Sequence, residues 1–114
     1  MSLPPYQSVP TYKHKNPHTS HEVELMDVGK RLAFVPSSEN YKWNQKFILE
    51  PFDETRMLVY RNGDQVYAQC FKRAYRMHAE GKISANTAHA RCGLLLGYEK
   101  SAIRSFLQRL SNLR

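Results

Sequence analysis

Between Lys30 and Tyr60 the apolar positions fall in short runs, and beyond Gly63 they recur at helical spacing. Lys30–Val35, closed by Pro36, reads as a strand, and Ser37-Ser38-Glu39-Asn40 as a polar connector. Lys46–Glu50 and Thr55–Tyr60, joined by Pro51-Phe52-Asp53-Glu54, read as a hairpin. After Asn62-Gly63 the period changes. Asp64 is placed to cap, and Gly81 to stop, a helix over about 65–80. Val66, Tyr67, Cys70, Phe71, Ala74 and Met77 form its apolar stripe, opposite Gln65, Gln69, Lys72, Arg73, Arg76 and Glu80. Two more helices are expected at about 85–96, capped by Ser84 or Asn86, and at about 100–110.

The fold class is therefore α+β: a small antiparallel sheet of two or three strands within about 30–60, followed by three helices covering one face. Val66, Cys70, Phe71, Ala74, Met77, Leu96, Ile103, Phe106 and Leu110 are the expected core. Upstream, a short helix fits from Ser20 to its stop at Gly29, with Glu22 and Glu24 near its positive dipole end. Residues 1–20 hold Pro4, Pro5, Pro10 and Pro17 among tyrosines, lysines and histidines, and read as an extended flexible arm. Residues 21–114 read as one domain. The pattern assigns no place to Trp43.

Charge sharpens this picture. Residues 1–55 carry six Lys or Arg against seven Asp or Glu, net −1, and residues 56–114 carry eleven against three, net +8. A field of that sign draws phosphate backbones, acidic membranes or acidic protein surfaces without distinguishing them. No apolar run is long enough to span a bilayer, and no signal peptide opens the chain, so a soluble cytoplasmic protein is expected. Cys70 and Cys92 lie in apolar surroundings of expected helices and read as reduced thiols.

Residues 90–110 carry the most specific pattern. Cys92 and Leu96 precede Gly97, which suits a tight turn, and Ile103, Phe106, Leu107 and Leu110 follow it, while Gly93 permits two helices to approach closely. This segment resembles a helix-turn-helix. The resemblance implies base contacts from Lys100, Ser101 and Arg104, with Gln108 on the same polar face, and phosphate contacts from Lys72, Arg73, Arg76, Lys82 and Arg91. The same spacing fits a plain helical hairpin, and the crossing angle decides between them. A second basic surface is conceivable on the 65–80 helix, where Lys72, Arg73 and Arg76 with Arg61 and Lys82 would meet phosphates and Tyr67 and Tyr75 would stack on unpaired bases.

Other chemistry finds little support. His14, His18 and His21 lack paired ligand spacing, as do Cys70, His78, His89 and Cys92, so no metal is expected. There is no glycine-rich phosphate loop or nucleophile elbow, and neither cofactor nor catalysis is expected. The leading expectation is a small nucleic-acid-binding protein, duplex DNA favoured, acting as a regulator or accessory factor. Its rival is a protein-interaction module, such as an inhibitor or adaptor encoded by a phage or other mobile element, that binds an acidic partner surface.

Overall fold

The computed structural model describes residues 21–27, 29–43 and 45–112, so the expected 1–20 arm lies outside the described residues. The elements run α1 (His21–Asp27), β1 (Ala33–Pro36), a 3-10 helix (Ser37–Lys42), β2 (Phe47–Pro51), β3 (Arg56–Arg61), α2 (Gln65–Ala79), α3 (Ala85–Leu95) and α4 (Lys100–Asn112). The α+β class is as expected, with three strands and three helices after them. The sheet is antiparallel in the order β1-β3-β2. Both outer strands end in proline, at Pro36 and Pro51, where an edge strand tolerates the missing donor. Strand β1 starts at Ala33 rather than Lys30, and the connector after it winds into the 3-10 helix.

Register decides what each face buries. Ala33, Leu49 and Val59 align across the sheet, as do Val35, Pro51 and Met57; Phe34, Leu58 and Glu50 align on the opposite face, next to Ile48 and Tyr60. Helices α2 and α3 cover that second face: Leu58, Tyr60, Phe71, Ala68, Ala74, Cys92, Leu95 and Leu96 form one buried cluster. The first face is not left open. Met26 of α1 is fully buried against Ala33, Val35, Phe47, Met57 and Val59, and Trp43 packs beside them, edge-on to Phe47 at 5.3 Å between ring centroids.

Arg61 pins this second cover. Its guanidinium donates to the carbonyls of Met26 and Lys30 at the end of α1 and lies 5.1 Å from the centre of the Phe47 ring. It is therefore spent on the fold and does not join the basic stripe expected around Lys72. Asp27 adds an ion pair to Lys46 at 3.5 Å.

Three expectations about the helices need correction. Asp64 does not cap α2; its carboxylate faces Arg31 at 3.6 Å, and Gln65 closes the turn by accepting from the Gly63 N–H and donating to Asn62 Oδ1. Ser84 does cap α3, accepting from the Thr87 N–H at 3.1 Å. The buried stripe of α2 runs through Ala68, Phe71 and Ala74, while Cys70 and Met77 are half-buried and Val66 is 44% exposed. Two alanines let the helix settle close to the sheet, so Phe71 reaches Phe34 at 4.8 Å and Phe52 at 5.7 Å, and the Val66–Cys70–Met77 row is turned to the flank. Finally, no residue of α4 is buried: Ile103 and Leu110 are half-buried and Phe106 is 40% exposed, because the helix packs on α3 and not on the sheet.

The two phenylalanines offer a direct comparison of centre and periphery. Phe71→Ala is expected to destabilise by about 3–5 kcal/mol, and Phe106→Ala by about 1 kcal/mol or less. Denaturant midpoints of the two variants measure this, and equal losses would place α4 in the core.

Candidate nucleic-acid interface

The turn between α3 and α4 is built as its residues require. Gly97 adopts φ +80°, a left-handed conformation that L side chains rarely take. This lets the Gly97 N–H donate to the Leu94 carbonyl and the Tyr98 N–H to the Gly93 carbonyl, each at 3.0 Å, which satisfies the last carbonyls of α3. The ring of Tyr98 then faces the Lys30 ammonium at 5.7 Å, and Lys30 itself is 1% exposed. The hairpin is thereby fastened to the segment that enters the sheet.

Gly93 is the point of closest approach. A Cβ there would stand 2.9 Å from Cγ1 and 3.0 Å from Cδ1 of Ile103, so Ile103 occupies the notch that the missing side chain leaves. One turn further, the Phe106 ring meets His89 edge-on at 5.4 Å. Further still, Asn86 shares a groove with Leu107 and Ser111. Residues of α3 taken backwards thus meet residues of α4 taken forwards, which is the order of an antiparallel hairpin.

Packing this way turns the polar face of α4 outward. Lys100, Ser101, Arg104 and Gln108 are all exposed on one arc of the helix, and Arg109 is exposed beside it. On α2, Arg73 and Arg76 are exposed and line a shallow groove with Gln69, Cys70 and Lys72.

The remaining expected contacts are already occupied. Lys72 Nζ lies 2.7 Å from Glu50 Oε2, while Glu50 Oε1 accepts from the Tyr60 hydroxyl at 2.8 Å. The hydrogen bond from Lys72 holds the Glu50 carboxyl below its ordinary value, and burial, helped by Glu50, pushes Tyr60 up to about 12. Lys82 pairs with Glu80 at 3.0 Å. Arg91 is half-buried and engaged within the protein. Tyr67 and Tyr75 are half-buried rather than open platforms; Tyr75 packs on Phe52 at 4.8 Å and Phe71 at 5.2 Å.

Asn86, Ser111 and Asn112 are brought beside Arg104 and Gln108, and were not expected there. Ser111 and Asn112 follow Gln108 by three and four places on the same helix, and only the packing of α3 on α4 joins Asn86 to them.

Other chemistry is sparse. Among the described residues, no group of three His, Cys, Asp or Glu stands placed to hold a metal ion. The side chain of His21 and the residues His14 and His18 lie outside the description. Cys70 and Cys92 are free, and burial pushes the Cys92 thiol up to about 12, away from the thiolate that nucleophilic chemistry needs. No helix among the described residues is long and apolar enough to cross a membrane. Comparison with protein-family models, curated proteins and solved structures returns no match.

Two predictions follow from this geometry. Gly93→Leu fills the notch and displaces Ile103, so amide hydrogen exchange should show α4 losing protection while α2 keeps it; unchanged protection of α4 would mean that the notch does not hold the hairpin. The second concerns acid. Glu50 lies below its ordinary value, and Asp53 is held down to about 2 by the Arg56 guanidinium and by the N–H groups of Thr55 and Arg56. Groups depressed on folding stabilise the protein above their unfolded pKa, and this is lost as pH falls through the folded value. The unfolding midpoint should therefore drop between about pH 5 and 2, and the drop should be shallower in Glu50→Gln.

Proposed function

We propose that this protein binds nucleic acid through two basic helix faces, Arg73 and Arg76 on α2 and Lys100, Arg104 and Arg109 on α4. One observation carries the reading: the allocation of cations within the basic half. Arg56, Arg61, Lys72 and Lys82 are committed to Asp53, the Met26 and Lys30 carbonyls, Glu50 and Glu80. The four arginines and one lysine named above are exposed and carry no ion pair among the described residues. Their charge is thus presented to solvent rather than cancelled inside the fold, and no carboxylate lies within either α3 or α4. Such surfaces bind the phosphate backbone that duplex DNA, single-stranded DNA and RNA share, with an affinity that salt weakens. Ser101 and Gln108 stand beside Arg104 as the groups able to reach base edges. A role as a DNA-binding regulator or accessory factor is the form of this activity that the charge and size suit.

A second reading has its own support. Phe106, 40% exposed in a half-buried stripe next to these cations, is the kind of aromatic anchor that a partner protein with an acidic surface would cover.

Binding to labelled duplex DNA, single-stranded DNA and RNA over a salt series tests the proposal. Arg73→Glu with Arg104→Glu should lower affinity by at least about tenfold and flatten the salt slope by roughly 0.9 per lost duplex phosphate contact. Phe106→Ser should leave it unchanged. Undiminished binding by the folded double variant would refute the assignment, and dependence on Phe106 with a copurifying acidic protein would favour the second reading.

A further inference from the structure

We infer that α4 is the docking site for an acidic amphipathic helix of a partner protein, which covers the apolar stripe of α4 and so competes with nucleic acid for its cations. The docking stands on the geometry of α4 by itself; the competition rests on the nucleic-acid reading above.

Ile103, Phe106, Leu107 and Leu110 recur at i, i+3, i+4 and i+7, the spacing of a helix face that is covered along its length. Helix α3 covers part of it. Ile103 fills the Gly93 notch and Phe106 meets His89 edge-on, yet Leu107 and Leu110 are half-buried and Phe106 is 40% exposed. Anchors at this spacing are what helices present to one another when one lies against the next, and the uncovered part of the stripe offers that contact to a second helix.

Charge names the occupant. By the helical repeat, Lys100 and Arg104 border the stripe on the Leu107 side and Arg109 borders it on the Phe106 side; all three are exposed, and neither α3 nor α4 contains a carboxylate. A second copy of this chain would bring the same cations to the contact, and its Glu50, Asp53 and Glu80 are taken by Lys72, Arg56 and Lys82. A nucleic acid would use the cations but not Leu107 and Leu110, because aliphatic side chains give a base no ring to stack on. A helix with leucines on one face and glutamates along both borders matches the apolar stripe and its flanking charge together.

The probe is a labelled synthetic peptide with leucines at i, i+3, i+4 and i+7 and glutamates on either side, compared by fluorescence anisotropy with a peptide of the same composition in scrambled order. The ordered peptide should bind the native protein at least about tenfold more tightly. Phe106→Ser should remove that preference at every salt concentration, whereas Arg104→Glu with Arg109→Glu should weaken both peptides and flatten their salt dependence. Arg73→Glu on α2 should leave the preference intact. The substituted side chains are exposed, and circular dichroism checks that the variants fold. Unlabelled ordered peptide should displace labelled duplex DNA from the native protein at concentrations about tenfold lower than Phe106→Ser requires. If the two peptides bind alike, or Phe106→Ser keeps the preference, the docking is overturned while salt-dependent DNA binding leaves the phosphate reading standing. If Phe106→Ser weakens duplex DNA as much as the ordered peptide, the stripe serves nucleic acid and the docking is likewise overturned. A preference for the ordered peptide without any binding of DNA upholds the docking and overturns the nucleic-acid reading with its competition.

Discussion

Strand β3 is buried along Met57–Tyr60 on both of its faces, and the architecture follows from covering them. A two-sided apolar strand cannot sit at the surface of a small domain, so each face must find its own layer. Helices α2 and α3 supply one. The other comes from α1 and the segment around Trp43, which are short and bury few side chains apiece. Arg61, at the end of the same strand, compensates by gripping the carbonyls of Met26 and Lys30. One residue of β3 therefore fastens the cover that the rest of β3 requires.

This internal use of cations shapes the surface. Net charge says how much positive potential a chain carries, and folding says where it is spent. Lys72 completes a line from Tyr60 through Glu50, Arg56 is clamped by Asp53 over the rings of Phe34 and Phe52, and Lys30 is buried beneath Tyr98. What is left for a partner is a smaller set of arginines and lysine on two helices. Neither helix contains an acidic residue, so the exposed cations on each lie on faces without a carboxylate of their own helix.

Helix α4 stands apart from the core in every respect. It leans on α3 through Ile103 in the Gly93 notch and Phe106 on His89, and its apolar stripe is only half covered. Helices held by so few buried contacts open more readily than the elements beneath them, and recognition surfaces are commonly drawn from that end of the stability range. The position of the proposed contacts on α4 agrees with this division between a rigid sheet layer and a lightly held hairpin.

Element types and their order were legible in the residues, because period-two and helical spacings, Ser84 at a helix start, and Gly81 and Gly97 at helix ends are local signals. The Gly93 notch was legible too, since a small residue within an apolar helix needs a neighbour that comes close. Side-chain allegiance was not. That Arg61 would cap α1, that Asp64 would face Arg31 rather than its own helix, and that Lys72 would be taken by Glu50 depends on which strands and helices become neighbours. The stripe of α2 was misjudged for a related reason: Val66 and Met77 match the apolar period as well as Ala68 does, and only contact with the sheet shows which arc lies inward. Likewise Asn86 and Gln108 are far apart along the chain, and no local pattern joins them; the antiparallel packing of α3 on α4 brings them to one groove. Local spacing records backbone preference, whereas the sharing of charges and the shape of a surface are set by contacts between distant segments.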